Sequence, residues 1–186
     1  ADSVFKTNPS YYPGSRKELS FIDFLYVYRY INTNYIYYPT KGFLVEGALY
    51  KRGLDKTTDI WQLSAHGLYA KTISPKTFAT VEAAASIKFP NADNFYSQGL
   101  FGYGYYQMRG LEYYVVDGMG GALTRFTLGH ELFKYIFHTP FIKTKTHDKI
   151  PFRFFLTAFT DIGYSYNPYV NNNLLNNKFL YTYGVG

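Results

Sequence analysis

The sequence predicts an all-β fold, an antiparallel β-barrel whose strands span a membrane. Aromatic residues make up 22% of the chain and charged residues 17%, a mixture that suits strands with one face in lipid. Several segments also alternate apolar and polar side chains over about a dozen residues, which exceeds the usual strand of a soluble sandwich and matches a strand tilted through a bilayer. With 186 residues, the chain is about one domain.

Seven segments have the character of long strands. The clearest is 77–89, where the odd positions are apolar and the even positions include Glu82, Ser86 and Lys88. In the first segment, Asp23 and Arg29 share a face that we assign to the interior. The chain stops inside the last segment, and we therefore expect a piece of a larger barrel. The segments are 21–32, 43–51, 58–72, 77–89, 122–135, 151–164 and 178–186.

The connections have turn and loop chemistry. Pro39 has no backbone donor and Gly42 permits a positive φ, so 38–42 is predicted as a structural turn that leads into the second strand. The segments 137–150 and 165–177 are predicted as a polar connection and an exposed loop. The longest connection, 91–121, is rich in glycine, and loops of this length are usually functional.

One arginine in the long loop suggests a polar contact inside the barrel. Glu131 and Asp161 lie on the polar faces of the next two predicted strands. If those strands are neighbours, both carboxylates point into one interior, and a loop folded inward brings Arg109 between them. A planar guanidinium suits bidentate hydrogen bonds to carboxylates.

Other classes of function find less support. The net charge of +6 is scattered, and the cluster of Lys143, Lys145 and Lys149 is typical of a solvated turn, so no nucleic-acid partner is expected. The four histidines lack the spacing of a metal site. No nucleophile elbow is present, so we expect neither an enzyme nor a cofactor. A water-soluble β-sandwich remains the alternative fold, because no apolar run approaches a spanning helix.

Several motifs in order resemble the carboxy-terminal barrel region of the BamA/TamA superfamily. The family signature is an aliphatic-Arg-Gly-aromatic loop tetrapeptide, then a strand with an inward Glu, then a strand that ends in Phe-x-Asp-x-Gly. Met108 and Leu111 depart from the usual tetrapeptide. The matching residues are Phe95-Tyr96, Gly102, Met108-Arg109-Gly110-Leu111, Asp117-Gly118, Glu131 and Phe159-Thr160-Asp161-Ile162-Gly163, and the turn at Pro39 and Gly42 also resembles a periplasmic hairpin of that family.

The resemblance implies a bacterial outer-membrane protein that assembles or inserts other barrels. The visible strands would be about the eighth to the fourteenth of sixteen, an even number as single-chain bacterial barrels require. The 91–121 loop would enter the lumen from outside, where Arg109 and Gly110 form a loop lock with Glu131 and Asp161. Its partners would be outer-membrane lipid, nascent outer-membrane proteins and periplasmic or lipoprotein accessory subunits. A polypeptide secretion channel of the same superfamily and a barrel anchor for an upstream enzyme domain remain alternatives.

Overall fold

The seven long strands form one antiparallel sheet. The computed structural model describes residues 20–54, 59–90, 97–102, 106–138, 149–169 and 174–186. The order in the sheet is β1-β2-β3-β4-β7-β8-β9, and β5 and β6 form a separate two-stranded sheet in the long loop. The strands are β1 (Asp23–Thr33), β2 (Gly42–Arg52), β3 (Ile60–Ser74), β4 (Thr77–Phe89), β5 (Gly99–Phe101), β6 (Val116–Asp117), β7 (Gly120–His138), β8 (Lys149–Tyr166) and β9 (Phe179–Val185).

The prediction of an all-β chain with seven long antiparallel strands is confirmed. The sheet is open, with β1 and β9 at its edges. The predicted connection 137–150 was too long, because β7 continues to His138 and β8 begins at Lys149. The motif residues Phe95-Tyr96 and the lysines at 143 and 145 lie outside the described residues.

The two faces of the sheet differ in chemistry, as the alternation predicts. The inner face carries Glu82, Arg125 and Asp161, which occupy one row across β4, β7 and β8. The charged Asp23 and Arg29 of β1 share this face, because they pair with Arg52 and Glu46 of β2. The outer face is apolar and exposed along all seven strands, with Phe24, Val45, Leu63, Val81, Ile87, Phe126, Leu128, Leu156, Ile162 and Tyr181 among its members.

The core lies between the inner face and the long loop. Phe101 of β5 and Val116 of β6 pack on Ala84 of β4 and Leu123 of β7, and all four side chains are buried. We call this end of the sheet the loop end. The opposite end, where β1 joins β2 and β3 joins β4, is the turn end. The long loop thus supplies a second layer on the inner face of the sheet.

The connection between β1 and β2 is a closed turn, 34–41, that folds over the inner face. Asn34 closes it, since its side-chain oxygen accepts the backbone N–H groups of Thr40 and Lys41 at 3.1 Å each. The ring of Tyr38 packs on Phe78 and Phe155, with centroid distances of 5.7 and 5.6 Å. The turn therefore reaches from the β1 edge of the sheet as far as β8.

Gly42 is required where this turn meets β2. Its φ is +111°, and a Cβ at this position would overlap the backbone oxygen of Asn32. The predicted positive φ at Gly42 is thus confirmed, and Pro39 lies buried within the turn.

We expect Gly42→Ala to lower the free energy of unfolding by about 1 to 3 kcal/mol, the usual cost of a strained backbone conformation. Chemical denaturation of the purified protein measures this change. Gly47→Ala is the matched control on the same strand, because a Cβ there meets no atom within 4 Å. Equal effects of the two substitutions would contradict the steric requirement at Gly42.

Candidate functional site

The site is built on three alternate residues of β8. Phe159, Asp161 and Gly163 project from the inner face, because successive side chains of a strand point to opposite sides. Asp161 lies beside Arg125 of β7 and Thr182 of β9 in the sheet register. Its side chain is 0% exposed. A buried carboxylate is costly unless it is paired and hydrogen-bonded, so the surroundings of Asp161 decide what this part of the sheet can do.

Arg109 of the long loop supplies that partner. Its Nε lies 3.2 and 3.1 Å from the two carboxylate oxygens of Asp161, and its Nη2 also donates to this carboxylate. The backbone N–H of Arg109 adds a bond of 2.9 Å to the same group. The remaining guanidinium donors bind the Thr127 hydroxyl at 2.7 Å and the Phe126 carbonyl at 3.1 Å. The predicted contact between Arg109 and Asp161 is confirmed.

The aromatic ring of Phe159 packs against the guanidinium of Arg109. The Arg109 guanidinium carbon lies 4.2 Å from the centroid of Phe159, a cation–π contact. Phe159 in turn covers Gly184 of β9, where a Cβ would stand 2.8 Å from the ring. Next to the arginine, Gly110 turns the chain with a φ of +84°. Phe159 thus contacts the Arg109 guanidinium and covers Gly184, while Gly110 lets the chain turn directly after Arg109.

Met108 fills a notch in the sheet next to the arginine. Gly163 has no side chain, and a Cβ there would lie 2.5 Å from the Met108 sulfur. Met108 is buried at this position. Consecutive loop residues thus enter two inward positions of β8, with Met108 over Gly163 and Arg109 on Asp161.

The expectation that Glu131 joins Arg109 is wrong. Glu131 faces inward, but it pairs with Arg153 of β8, whose Nε lies 2.6 Å from its carboxylate. The reason is its level in the sheet. Asp161 pairs in register with Arg125, and Glu131 lies six residues further along β7, roughly 20 Å away at the rise of an extended strand. The sequence correctly predicts that Glu131 and Asp161 lie on the same face of the sheet. It does not show that they lie at different heights along the strands.

A second contact, which sequence reasoning missed, holds the same loop from the sheet side. Arg125 donates to the backbone carbonyl of Gln107 and forms an ion pair with Glu82 at 3.2 Å. Glu82 also contacts His66 of β3 at 2.9 Å, and the His66 ring lies 5.1 Å from that of Tyr106. The alternation of polar residues predicts that His66, Glu82 and Arg125 lie on the inner face. Only the strand register shows that they contact one another.

The base of the loop is fixed by a buried lysine. Lys88, at the end of β4, donates its ammonium protons to the carbonyls of Ser97, at 2.8 Å, and Gly99. At β6, the second strand of the loop, the Ser165 hydroxyl and the Asn176 amide donate to the Asp117 carbonyl at 3.0 and 2.7 Å. The loop is therefore anchored at its base as well as at Arg109.

A cavity of about 350 Å³ separates the loop from the turn 34–41. Arg109 and Phe159 line it on the loop side, and Tyr38 and Phe78 line it on the turn side. Burial raises the pKa of the Tyr38 phenol above its ordinary value of 10.0, and the nearby Arg109 charge opposes that rise. The two connections thus approach each other from opposite ends of the sheet.

Comparisons with protein-family models, curated proteins and solved structures each find no match. The fold and the site define an antiparallel sheet with an inward loop that an arginine fixes to a buried aspartate. Among the described residues, no helix has the length and apolar character to cross a membrane. The same part of the chain contains no group of three or more His, Asp or Glu side chains placed to hold a metal ion.

We expect Arg109→Ala to destabilise the loop by about 3 kcal/mol, because it leaves the carboxylate of Asp161 buried without its cation. The loss is limited because the backbone N–H of residue 109 still binds Asp161. Arg109→Lys restores a charge but not the planar fork, so it recovers only part of this loss. Hydrogen exchange of the 106–111 amides measures the effect.

The control for Arg109 is Arg29→Ala. Arg29 also pairs with a carboxylate, that of Glu46, but its side chain is 55% exposed, and such pairs contribute at most about 1 kcal/mol. We expect the 108–111 amides to exchange normally in this variant, because the Arg29–Glu46 pair interacts with the loop at Tyr106. Normal exchange in Arg109→Ala would show that the pair does not hold the loop.

We expect Gly163→Ala to loosen the loop, because the new methyl group meets the Met108 sulfur and overpacking costs about 1 to 3 kcal/mol. In a Met108→Ala background the same substitution becomes nearly neutral, which a double-mutant cycle measures. Gly67→Ala is the control, since the nearest atom to its Cβ, the Leu44 carbonyl oxygen, lies 3.9 Å away. Additive effects at positions 108 and 163 would contradict direct packing.

Proposed function

We infer that the chain belongs to a bacterial outer-membrane β-barrel that assembles or inserts other barrel proteins. The single observation that carries this proposal is the pair between Arg109 of the inward loop and Asp161 of β8. Both residues belong to the motifs that resemble the BamA/TamA superfamily. The contact unites a loop tetrapeptide and a Phe-x-Asp-x-Gly strand that are 52 residues apart in the chain.

Membrane insertion is supported by the outer face. This face is apolar and exposed on every strand of the sheet, and an exposed apolar area of this extent marks contact with lipid or protein. Trp61 lies on this face near the loop end, with the Lys51 ammonium 4.9 Å from its ring centroid. An aromatic ring beside a basic group is typical of the membrane–water interface.

Barrel closure is supported by the edges. Within the described residues, β1 and β9 each pair on one side only. In lipid, unpaired backbone groups cost several kcal/mol each, so a sheet that spans a membrane closes on itself through further strands. We propose that such strands complete a barrel of sixteen.

An assembly role fits the inner face better than an open channel does. The loop covers the inner face at the loop end through Phe101 and Val116, and the turn 34–41 covers it at the turn end through Tyr38. The 350 Å³ cavity between them has the size of a small-ligand site. The accessory subunits and nascent barrel clients are part of this proposal.

The membrane part of the proposal predicts opposite effects on the two faces of β4. Ala83 lies on the outer face, and Ala83→Arg places a charge in lipid at a cost of about 2 to 4 kcal/mol near the bilayer centre. Thr80→Arg, on the inner face beside the cavity, is the matched control and costs much less. The yield of folded protein in phospholipid vesicles measures both variants. A normal yield from Ala83→Arg would contradict lipid contact at this face.

The assembly activity itself is tested in vesicles that hold the full-length chain. An unfolded outer-membrane barrel protein is added, and its folding rate is followed by resistance to protease. We expect faster folding than in empty vesicles. Arg109→Ala should abolish this acceleration, and Arg29→Ala should leave it unchanged. Equal rates in empty and loaded vesicles would overturn the assembly role. Passage of polypeptide into the vesicle lumen without faster folding would instead support the secretion channel.

A further inference from the structure

The two longest strands continue past the rest of the sheet at the turn end. The register between β4 and β7 ends at Thr77 and His130, whereas β7 continues to His138 and stays paired with β8 down to Lys149. We call the residues 132–138 and 149–154 the ribbon. It reaches roughly 23 Å beyond the last pair with β4 at the rise of an extended strand.

A β-bulge at the start of the ribbon exchanges its faces. The register shifts between Glu131 and Phe133, so Leu132 has no partner of its own. Before the bulge the odd positions of β7 face inward, as Arg125 and Glu131 do. After it they face outward, and the even position Lys134 faces inward beside Arg153. Without the bulge, the aromatic side chains of this segment would share the face of Asp161.

The result is an amphipathic ribbon. On the outer face, aromatic and aliphatic residues pair directly across the strands, and Phe133 stacks on Phe154 with a centroid distance of 4.5 Å. These side chains are between 42% and 57% exposed. On the inner face, Lys134 lies opposite Arg153. The outer pairs are Phe133 with Phe154, Tyr135 with Phe152, and Phe137 with Ile150.

We propose that the ribbon is a lipid-anchoring surface that lies against the membrane interface at the turn end, with its aromatic face toward the acyl chains. This inference rests on the proposed membrane insertion. It is carried by the continuity of the aromatic face with the outer face of the sheet, since Leu156 and Leu128 precede it on the same side. It is also carried by Lys134 on the opposite face, whose ammonium group suits phospholipid headgroups.

The chemistry favours lipid over a folded protein partner. Aromatic rings and basic side chains are the residues that accumulate at a membrane interface, where the rings sit at headgroup level and the charges stay near phosphate. A bulge that turns three aromatic positions outward serves lipid contact directly. Half-exposed aromatic rings left in water would instead form an aggregation-prone strand pair.

Tryptophan fluorescence in vesicles with brominated acyl chains tests the ribbon in the full chain. The 186 residues contain one tryptophan, Trp61, which reports on the outer face of the sheet. Phe152→Trp and Ile136→Trp, each combined with Trp61→Phe, place the probe on the outer and inner faces of the ribbon at one level. The vesicles contain phosphatidylethanolamine and phosphatidylglycerol, and Tyr135→Trp is a second outer probe if Phe152→Trp does not fold.

We expect brominated lipid to quench most of the emission of Trp61 and of the outer ribbon probe, and to leave the probe at position 136 bright. If Trp61 is quenched and the outer ribbon probe stays bright, the ribbon does not touch lipid and faces water or another protein, although the membrane insertion stands. Equal quenching at positions 152 and 136 would overturn the interfacial placement, because both faces would then be immersed. If Trp61 also stays bright, the membrane insertion fails and the ribbon inference fails with it.

Discussion

A carboxylate with no exposure to solvent is the constraint on which the inner face depends. Asp161 is fully buried on β8, and an ion in that position requires a cation and several hydrogen bonds. The sheet offers Arg125 as its neighbour in register, but that arginine binds Glu82 and the Gln107 carbonyl. The charge of Asp161 is therefore balanced by Arg109, and Arg109 reaches it only if the loop lies on the inner face. The position of residues 108–110 and the burial of Asp161 therefore depend on each other.

The Phe-x-Asp-x-Gly pattern of β8 has a physical meaning in this arrangement. Its three named residues project from one face at a spacing of two residues, roughly 7 Å for an extended strand, and each one contacts Arg109 or Met108 of the loop. Phe159 supports the guanidinium, Asp161 accepts its hydrogen bonds, and Gly163 leaves the space that Met108 occupies. The three residues of the pattern thus form the surface on which Met108 and Arg109 pack.

The sequence was sufficient for whatever depends on alternation, but not for what depends on register or bulges. Seven strands, the faces of Glu82 and Asp161, and the contact of Arg109 with Asp161 follow from period-two patterning and one charged loop residue. Glu131 was misassigned because alternation defines a face and not a level along the strand. The bulge at Leu132 is invisible to alternation, since an inserted residue looks like a break in the pattern. The partners of Arg125 are set by the pairing of β4 with β7, which no local signal encodes.

The inner face is covered through contacts of two unlike kinds. At the loop end, Arg109 and Asp161 form a charged pair whose carboxylate is buried, and buried pairs are screened little by salt. At the turn end, Tyr38 is held by ring contacts with Phe78 and Phe155, which are individually worth about 1 kcal/mol. The turn is therefore the weaker closure. Release of the loop requires other donors to replace those of Arg109 at Asp161, because an uncompensated carboxylate would otherwise remain behind. Displacement of Tyr38 breaks ring contacts, whereas release of the loop also requires a competing donor at Asp161.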